Sequence, residues 1–335
     1  MSHKREGGQM GFFDSFLKKK ETEVVDAQEE KSQTVVEDKE VSDEPHIKIQ
    51  TEDYKEQPEL DQLTLKPIKT YAEKKPVDHV IGKTRIFAII NQKGGVGKST
   101  TAINLGATLG EKGKQVLLVD LDPQGNTTTG LAIDKSQLSQ CTYDVLTQQI
   151  PITDIIIPDI YDGVDLAPAT INVAGAEMEL VSAMARENRL KNALDSLRGK
   201  YDYILIDCPP ALGLLTLNAL VAADRLFIPI QCEYYALEGV TKLLGTMQDV
   251  KQQLNPSLDI FGVLLTMTQH KTMLSRDVAR EVRAEFGDLV FDAEIPRSIK
   301  ITEAPGFGKT IIEHDPNGRG AQAYRALAEE VIARG

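Results

Sequence analysis

The feature that most constrains this 335-residue chain is an apolar pentapeptide running straight into a glycine-rich loop and then into a helical stretch. Ile86-Phe87-Ala88-Ile89-Ile90 is followed by Asn91-Gln92-Lys93-Gly94-Gly95-Val96-Gly97-Lys98-Ser99-Thr100-Thr101 and then by Ala102-Ile103-Asn104-Leu105. Glycines lack a Cβ, so consecutive backbone N–H groups can turn toward one anion, and the positive end of the next helix deepens that site. Strand, glycine loop and helix in this order are the context a phosphate-binding P-loop requires. Lys98 is placed to reach β- and γ-phosphates, and the Ser99 hydroxyl to ligate Mg²⁺. Lys93, Gly94, Gly95, Val96, Gly97, Lys98, Ser99 and Thr100 are therefore read as an ATP-binding segment. The common G-x-x-x-x-G-K-[ST] spacing fails once, because Gln92 stands at the first glycine position, and Lys93 adds a second lysine at the front.

Further apolar runs follow at Val116–Val119, Tyr203–Ile206, Arg225–Ile230 and Phe261–Thr266. Near-continuous hydrophobic strands are expected where helices cover both faces of a parallel sheet. Helical patterning lies between them, at 98–112, 174–198, 238–254, 275–286 and 318–333. This alternation predicts one α/β domain, residues 83–335, built as a doubly wound, mainly parallel sheet of P-loop NTPase type.

Residues 1–82 read differently. Acidic side chains outnumber basic ones 19 to 13 there, without a sustained period. Such a segment buries too little apolar surface to offset its ordering entropy, so a disordered acidic N-terminal extension is expected. Within it, Gly11–Lys20 joins three Phe and a Leu to three Lys. This segment could make a membrane-surface contact or be an unordered stretch; so short a segment binds weakly alone, which favours the unordered stretch.

Cys141, Cys208 and Cys232 are far apart and form no C-x-x-C pair, which argues against a disulfide framework and a cysteine-built cluster. The chain holds no apolar run of membrane-spanning length and no secretion signal, so a cytoplasmic location is expected. A net charge of −12 opposes indiscriminate nucleic-acid binding, so any DNA contact must come from a local basic patch. Gln269–Arg283 offers one: Lys271, then Arg276, Arg280 and Arg283 at i, i+4 and i+7 on one helix face. Asp277 and Glu281 share the helix, and a solvated charged face is the alternative reading.

The sequence Ile204-Leu205-Ile206-Asp207-Cys208-Pro209-Pro210 is an apolar strand ending in Asp, as in a Walker B segment, and Asp207 is expected to hold Mg²⁺ through water. The K-G-G-x-x-K-[ST] loop resembles the deviant Walker A box of the ParA/MinD superclass. Together with Asp120-Leu121-Asp122-Pro123-Gln124, Ile206-Asp207-Cys208-Pro209-Pro210, Cys232–Gly239 and Ile295-Pro296-Arg297…Glu303-Ala304-Pro305, the stretch from Arg85 to Ala333 resembles the ParA/Soj family of DNA-partitioning ATPases.

The resemblance implies that Lys93 crosses a dimer interface to the partner's nucleotide, and that Asp122 positions the attacking water. It further implies that Asp120 supports the magnesium shell, that Pro296 contacts the base, and that Pro209-Pro210 belongs to a nucleotide-sensing switch. An ATP-dependent homodimer, non-specific DNA binding, hydrolysis stimulated by a ParB-type partner and a nucleoid-associated location follow from it as expectations. The family commonly carries Arg where Lys271 stands, which keeps the charge but loses the bidentate fork. Alternatives are a ParA-like ATPase positioning a protein cargo, a nucleotide switch regulating replication initiation, and a MinD-like membrane ATPase. The last would end in a basic amphipathic helix, and Ala323–Arg334 is short and not notably basic.

Overall fold

The computed structural model describes residues 82–233 and 237–335. The acidic extension, apart from Gly82, lies outside the described residues, and so does Tyr234-Tyr235-Ala236 of the Cys232–Gly239 segment.

Among the described residues eight strands form one sheet: β1 (Arg85–Ile89), β2 (Val116–Asp120), β3 (Ile157–Tyr161), β4 (Val164–Ala167), β5 (Tyr203–Asp207), β6 (Arg225–Gln231), β7 (Asp259–Thr268) and β8 (Ile295–Pro296). Their spatial order is β3-β4-β2-β5-β1-β6-β7-β8, and every neighbouring pair is parallel except β3 with β4. The helices are α1 (Lys98–Glu111), α2 (Asn126–Gly130), α3 (Thr142–Thr147), α4 (Val173–Leu180), α5 (Arg189–Asp195), α6 (Leu214–Ala222), α7 (Glu238–Gln253), α8 (Met273–Phe286), α9 (Ile299–Glu303), α10 (Ile311–His314) and α11 (Arg319–Arg334). The fold is a doubly wound α/β sheet of the P-loop NTPase type. Residues of β2 and β5 are buried throughout, because layers on both faces cover them. A stack of aromatic rings welds the middle of the sheet to the β8 side: Phe87 lies 4.3 Å from Phe261, and Phe227 lies 5.0 Å from Phe291, centroid to centroid.

The strands read from the sequence are present, with β7 starting two residues earlier than the apolar run. β3, β4 and β8 were not anticipated. β3 carries Pro158 and an Asp159 at φ 54°, and its pairing with β4 is irregular, so it lacks the pattern of an interior strand.

The single helix expected over 174–198 is two helices. α4 ends at Leu180 and α5 starts at Arg189, with Ala185 between them in the left-handed region at φ 49°. The Asn218 side chain accepts from the Leu190 N–H and donates to the Arg186 carbonyl, so the chain is recaptured there for a second start. Between and at the ends of these helices Met178, Val181 and Met184 are 81%, 61% and 89% exposed. α6 escaped sequence reading because its Leu214-Leu215-Thr216-Leu217-Asn218-Ala219-Leu220-Val221-Ala222 is apolar nearly all round and shows no amphipathic period.

Parallel strands align their C-terminal ends, and in such sheets ligands meet the loops at that edge. Here the ends of β1, β2 and β5 lie side by side, with Ile89 opposite Asp207 and Asp207 opposite Asp120.

Candidate nucleotide site

The loop after β1 adopts the conformation its glycines permit. Gly95 and Gly97 take φ of 75° and 92°, and Gly97 is the residue from which α1 departs. These are left-handed values that an L side chain rarely adopts. Three bonds tie the loop to its neighbours. The Asn91 amide donates to the Pro229 carbonyl at 2.8 Å, and the Asn91 Oδ1 receives the Lys93 N–H at 3.0 Å. The Thr266 hydroxyl of β7 donates to the Val96 carbonyl at 2.8 Å.

Lys98 is buried, and its Nζ reaches back to the Lys93 carbonyl at 3.4 Å. Burial lowers its pKa from the ordinary lysine value, against the opposing pull of Asp207 and then, more weakly, Cys208 and Asp122. Lys93 is half-buried.

Two fully buried carboxylates face each other across β2 and β5. Asp120 is wholly committed: Oδ1 accepts the Asp122 N–H at 3.2 Å, and Oδ2 accepts both the N–H and the hydroxyl of Thr128, at 2.9 and 2.7 Å. Asp207 is only half committed, since its Oδ2 accepts the Thr127 hydroxyl at 2.8 Å while Oδ1 is buried without a hydrogen-bond partner. Burial raises both carboxyls, Asp120 to about 7 with added repulsion from Asp207, and Asp207 to about 6 against the Thr127 hydrogen bond and the nearby Ser99 hydroxyl, which is not within hydrogen-bonding geometry of Oδ1. Asp122 is buried at the same edge, and its Oδ1 accepts the Gln124 N–H at 2.9 Å.

Thr127 and Thr128, adjacent residues of α2, thus clamp adjacent carboxylates of two strands. Sequence reading missed both. Their one visible signal was position, directly after Asp-x-Asp-Pro-Gln. The Thr128 hydroxyl also accepts the Ala169 N–H at 3.0 Å, and the Thr142 hydroxyl donates to the Asp120 carbonyl at 2.9 Å, so the segment is anchored from the turn after β4 and from α3 as well.

Lys93, Lys98, Ser99, Asp120, Asp122 and Asp207 are therefore gathered at one edge. Pro296 stands on β8, paired with Thr268 two residues beyond the Thr266 that holds the loop. Its neighbour Arg297 donates to Glu233 at 2.8 Å. The four cations of Gln269–Arg283 belong to a separate element: Lys271 precedes α8, Arg276 and Arg280 are exposed on it, and Arg283 turns toward Glu294. Among the described residues no three His, Cys, Asp or Glu converge into a protein-built metal cage. The donor set instead suits a hydrated Mg²⁺ held by few protein ligands, with the orphaned Asp207 Oδ1 as the acceptor left over for it. Cys208 is buried beside Asp207, which pushes its thiol up and away from thiolate chemistry.

Comparison with known proteins sets this arrangement in a family. Residues 84–260 match the AAA domain family. Over 251 residues the chain is 54% identical to the sporulation initiation inhibitor protein Soj of Bacillus subtilis, spanning 75% of this chain and 99% of that protein. It belongs to the ParA/Soj family. The family identity extends to the chromosome partitioning protein ParA of Caulobacter vibrioides, 50% identical over 252 residues, 75% of this chain and 94% of that one. Among solved structures, a cobyrinic acid a,c-diamide synthase from Mycobacterium smegmatis with bound ADP and magnesium superposes with a TM-score of 0.66 at 41% identity. The match covers 74% of this chain and 94% of that one. As a ParA/Soj member the chain is a P-loop ATPase.

Proposed function

We propose that this ParA/Soj ATPase partitions DNA through a cycle in which ATP closes a homodimer, the dimer binds DNA without sequence preference, and a ParB-type partner triggers hydrolysis and release. The observation that carries the nucleotide half of this reading is the buried, singly bonded Asp207 beside Lys98, with its second oxygen unmatched. Residues 83–335 act as the ATPase domain, the acidic extension precedes it, and the protein works in the cytoplasm on the nucleoid. No helix of the described residues is long and apolar enough to cross a membrane.

In this mechanism the amides of Gly94–Ser99 cradle the phosphates, with Thr100 behind them at the start of α1. Lys98 leaves the Lys93 carbonyl for the β- and γ-phosphates. Ser99 directly, and Asp207 through water, would hold magnesium, which when bound would neutralise the triphosphate charge and so favour displacement at the γ-phosphorus. Asp120 supports that shell indirectly: it fixes Thr128, and the adjacent Thr127 fixes Asp207. Asp122 orients the attacking water, so that catalysis rests on alignment and charge compensation rather than covalent chemistry. Lys93 reaches the partner subunit's nucleotide, where a second cation stabilises charge on the transferred group. Pro296 borders the base. Lys271, Arg276, Arg280 and Arg283 meet DNA phosphates.

The test is ATP turnover measured with DNA, with a ParB-type partner, with both and with neither. Turnover should be highest with both; Lys98→Ala should lose nucleotide binding, and Asp122→Ala should hold ATP as a stable dimer. A protein that binds no Mg·ATP, or stays monomeric when saturated with a non-hydrolysable analogue, overturns the cycle. Stimulation by a different adaptor but not by a ParB-type protein would reassign the cargo to a protein complex.

A further inference from the structure

Away from the nucleotide edge, a cavity of about 280 Å³ opens between the β7–α8 connection, α8 and the residue before β8. Its wall includes His270, Ser275, Arg276, Arg280, Arg283 and Glu294. Three guanidiniums and an imidazole thus share the space with one carboxylate.

That carboxylate is half matched. Glu294 Oε1 accepts from Arg283 at 3.0 Å, while Oε2 is buried without a hydrogen bond and lies 3.5 Å from His270 Nε2. Arg283 completes its bonding with the Phe291 carbonyl at 3.3 Å. Arg280 is drawn to Asp277 on its own helix at 3.0 Å, where both side chains are more than half exposed. Arg276 has no side-chain partner among the described residues. A chain of net charge −12 has therefore concentrated cations around one concavity and left its single lining carboxylate incompletely bonded.

We propose that this cavity seats one phosphodiester of the DNA backbone, and that Glu294 is the resident anion which the phosphate displaces from Arg283. The inference rests on the DNA-binding reading above and adds to it a specific seat and a gate. A guanidinium forks onto two oxygens of a phosphate as it does onto a carboxylate, so Arg283 can exchange one for the other without moving far. Arg276 and Arg280, one turn apart on the same wall, supply the charge that tips the exchange. A backbone phosphate is favoured over a free phosphorylated molecule because Lys271 lies at the start of the same row but outside the cavity. A strand of phosphates engages the row and the cavity together, whereas a small anion uses the cavity alone. Glu294 then weakens the grip, since its charge faces the incoming phosphate and must be left behind, and the contact stays readily reversible.

The experiment uses the full chain saturated with a non-hydrolysable ATP analogue, and measures affinity for a mixed-sequence duplex over a range of salt concentrations. Glu294→Gln keeps an acceptor for Arg283 but removes the competing charge, and should tighten binding about 5-fold at low salt. Arg276→Gln, on an exposed position that threatens no packing, should weaken binding and reduce the salt slope by about 1. If the parent protein binds DNA with a steep salt dependence while Glu294→Gln binds no more tightly and Arg276→Gln keeps the full slope, the seat is wrong and the DNA reading survives. If the parent protein binds no DNA at all, the DNA reading itself fails. A third arm titrates inorganic phosphate: tightening of phosphate by Glu294→Gln with DNA affinity unchanged would assign the cavity to a free phosphorylated ligand and overturn the backbone assignment.

Discussion

Replacing Asp207 by Asn should stabilise the nucleotide-free protein, and more so at pH 8 than at pH 5. An unfolded Asp titrates near 3.8, whereas burial raises Asp207 to about 6, and burial with repulsion from Asp207 raises Asp120 to about 7. Between pH 4 and 7 the unfolded chain has released protons that the folded chain keeps. The folded state therefore binds more protons, stability falls as pH rises through that window, and above pH 7 the loss is complete. From pH 5 to 8 the Asp207 shift alone accounts for about one pKa unit, ~1.4 kcal/mol. Relief of the repulsion on Asp120 adds to it, so the advantage of Asp207→Asn over the parent should grow by about 2 kcal/mol across this interval. Denaturant unfolding of both proteins at the two pH values, with chelator and without nucleotide, measures that double difference and cancels the titration of groups remote from this pair. A stability gap that is the same at pH 5 and pH 8 would falsify the claim that these carboxylates are held in an uncompensated, water-poor pair.

Two further outcomes follow from the same loops. Thr127→Val removes the donor to Asp207 Oδ2 and should weaken Mg²⁺ association with the ADP complex several-fold, with Thr127→Ser restoring it; an unchanged Mg²⁺ titration would mean the hydroxyl does not position Asp207. Gly308→Ala should lower stability by about 2 kcal/mol or more in thermal unfolding, because φ is 62° and the new methyl would lie 2.3 Å from Ala132 Cβ; unaltered melting would show that this turn can shift freely.

What could be read from the sequence was what depends on neighbours in the chain. Ile86–Ile90 followed by glycines and Lys98 announces both a buried strand and an anion loop, because each signal is local and the two reinforce one another. The runs of β2, β5, β6 and β7 were legible since strands buried on both faces need no partner to be recognised. By contrast, the break between α4 and α5 depends on Asn218, 28 residues from the Leu190 amide it caps. Thr127 acquires meaning only through Asp207, 80 residues away. Arg283 reads as a free surface cation until β8 brings Glu294 against it, 11 residues on. Propensity and spacing carry no record of such meetings.

The nucleotide-free geometry also suggests why the two lysines of the loop are linked. Lys98 is a buried ammonium facing Asp207 and, more weakly, Asp122, and desolvation already strains its charge. It donates to the Lys93 carbonyl at 3.4 Å, a long bond and so a weak one. A triphosphate offers that ammonium charged oxygens, which bind it more strongly than a carbonyl does. If Lys98 turns to the phosphates as proposed, the Lys93 carbonyl loses its donor, while the Lys93 N–H remains on Asn91, itself fixed to Pro229 of β6. The peptide after Lys93 is thereby freed on one side and held on the other. In the proposed cycle, filling the loop in one subunit would thus change the constraint on the residue that reaches into the next, through a single carbonyl.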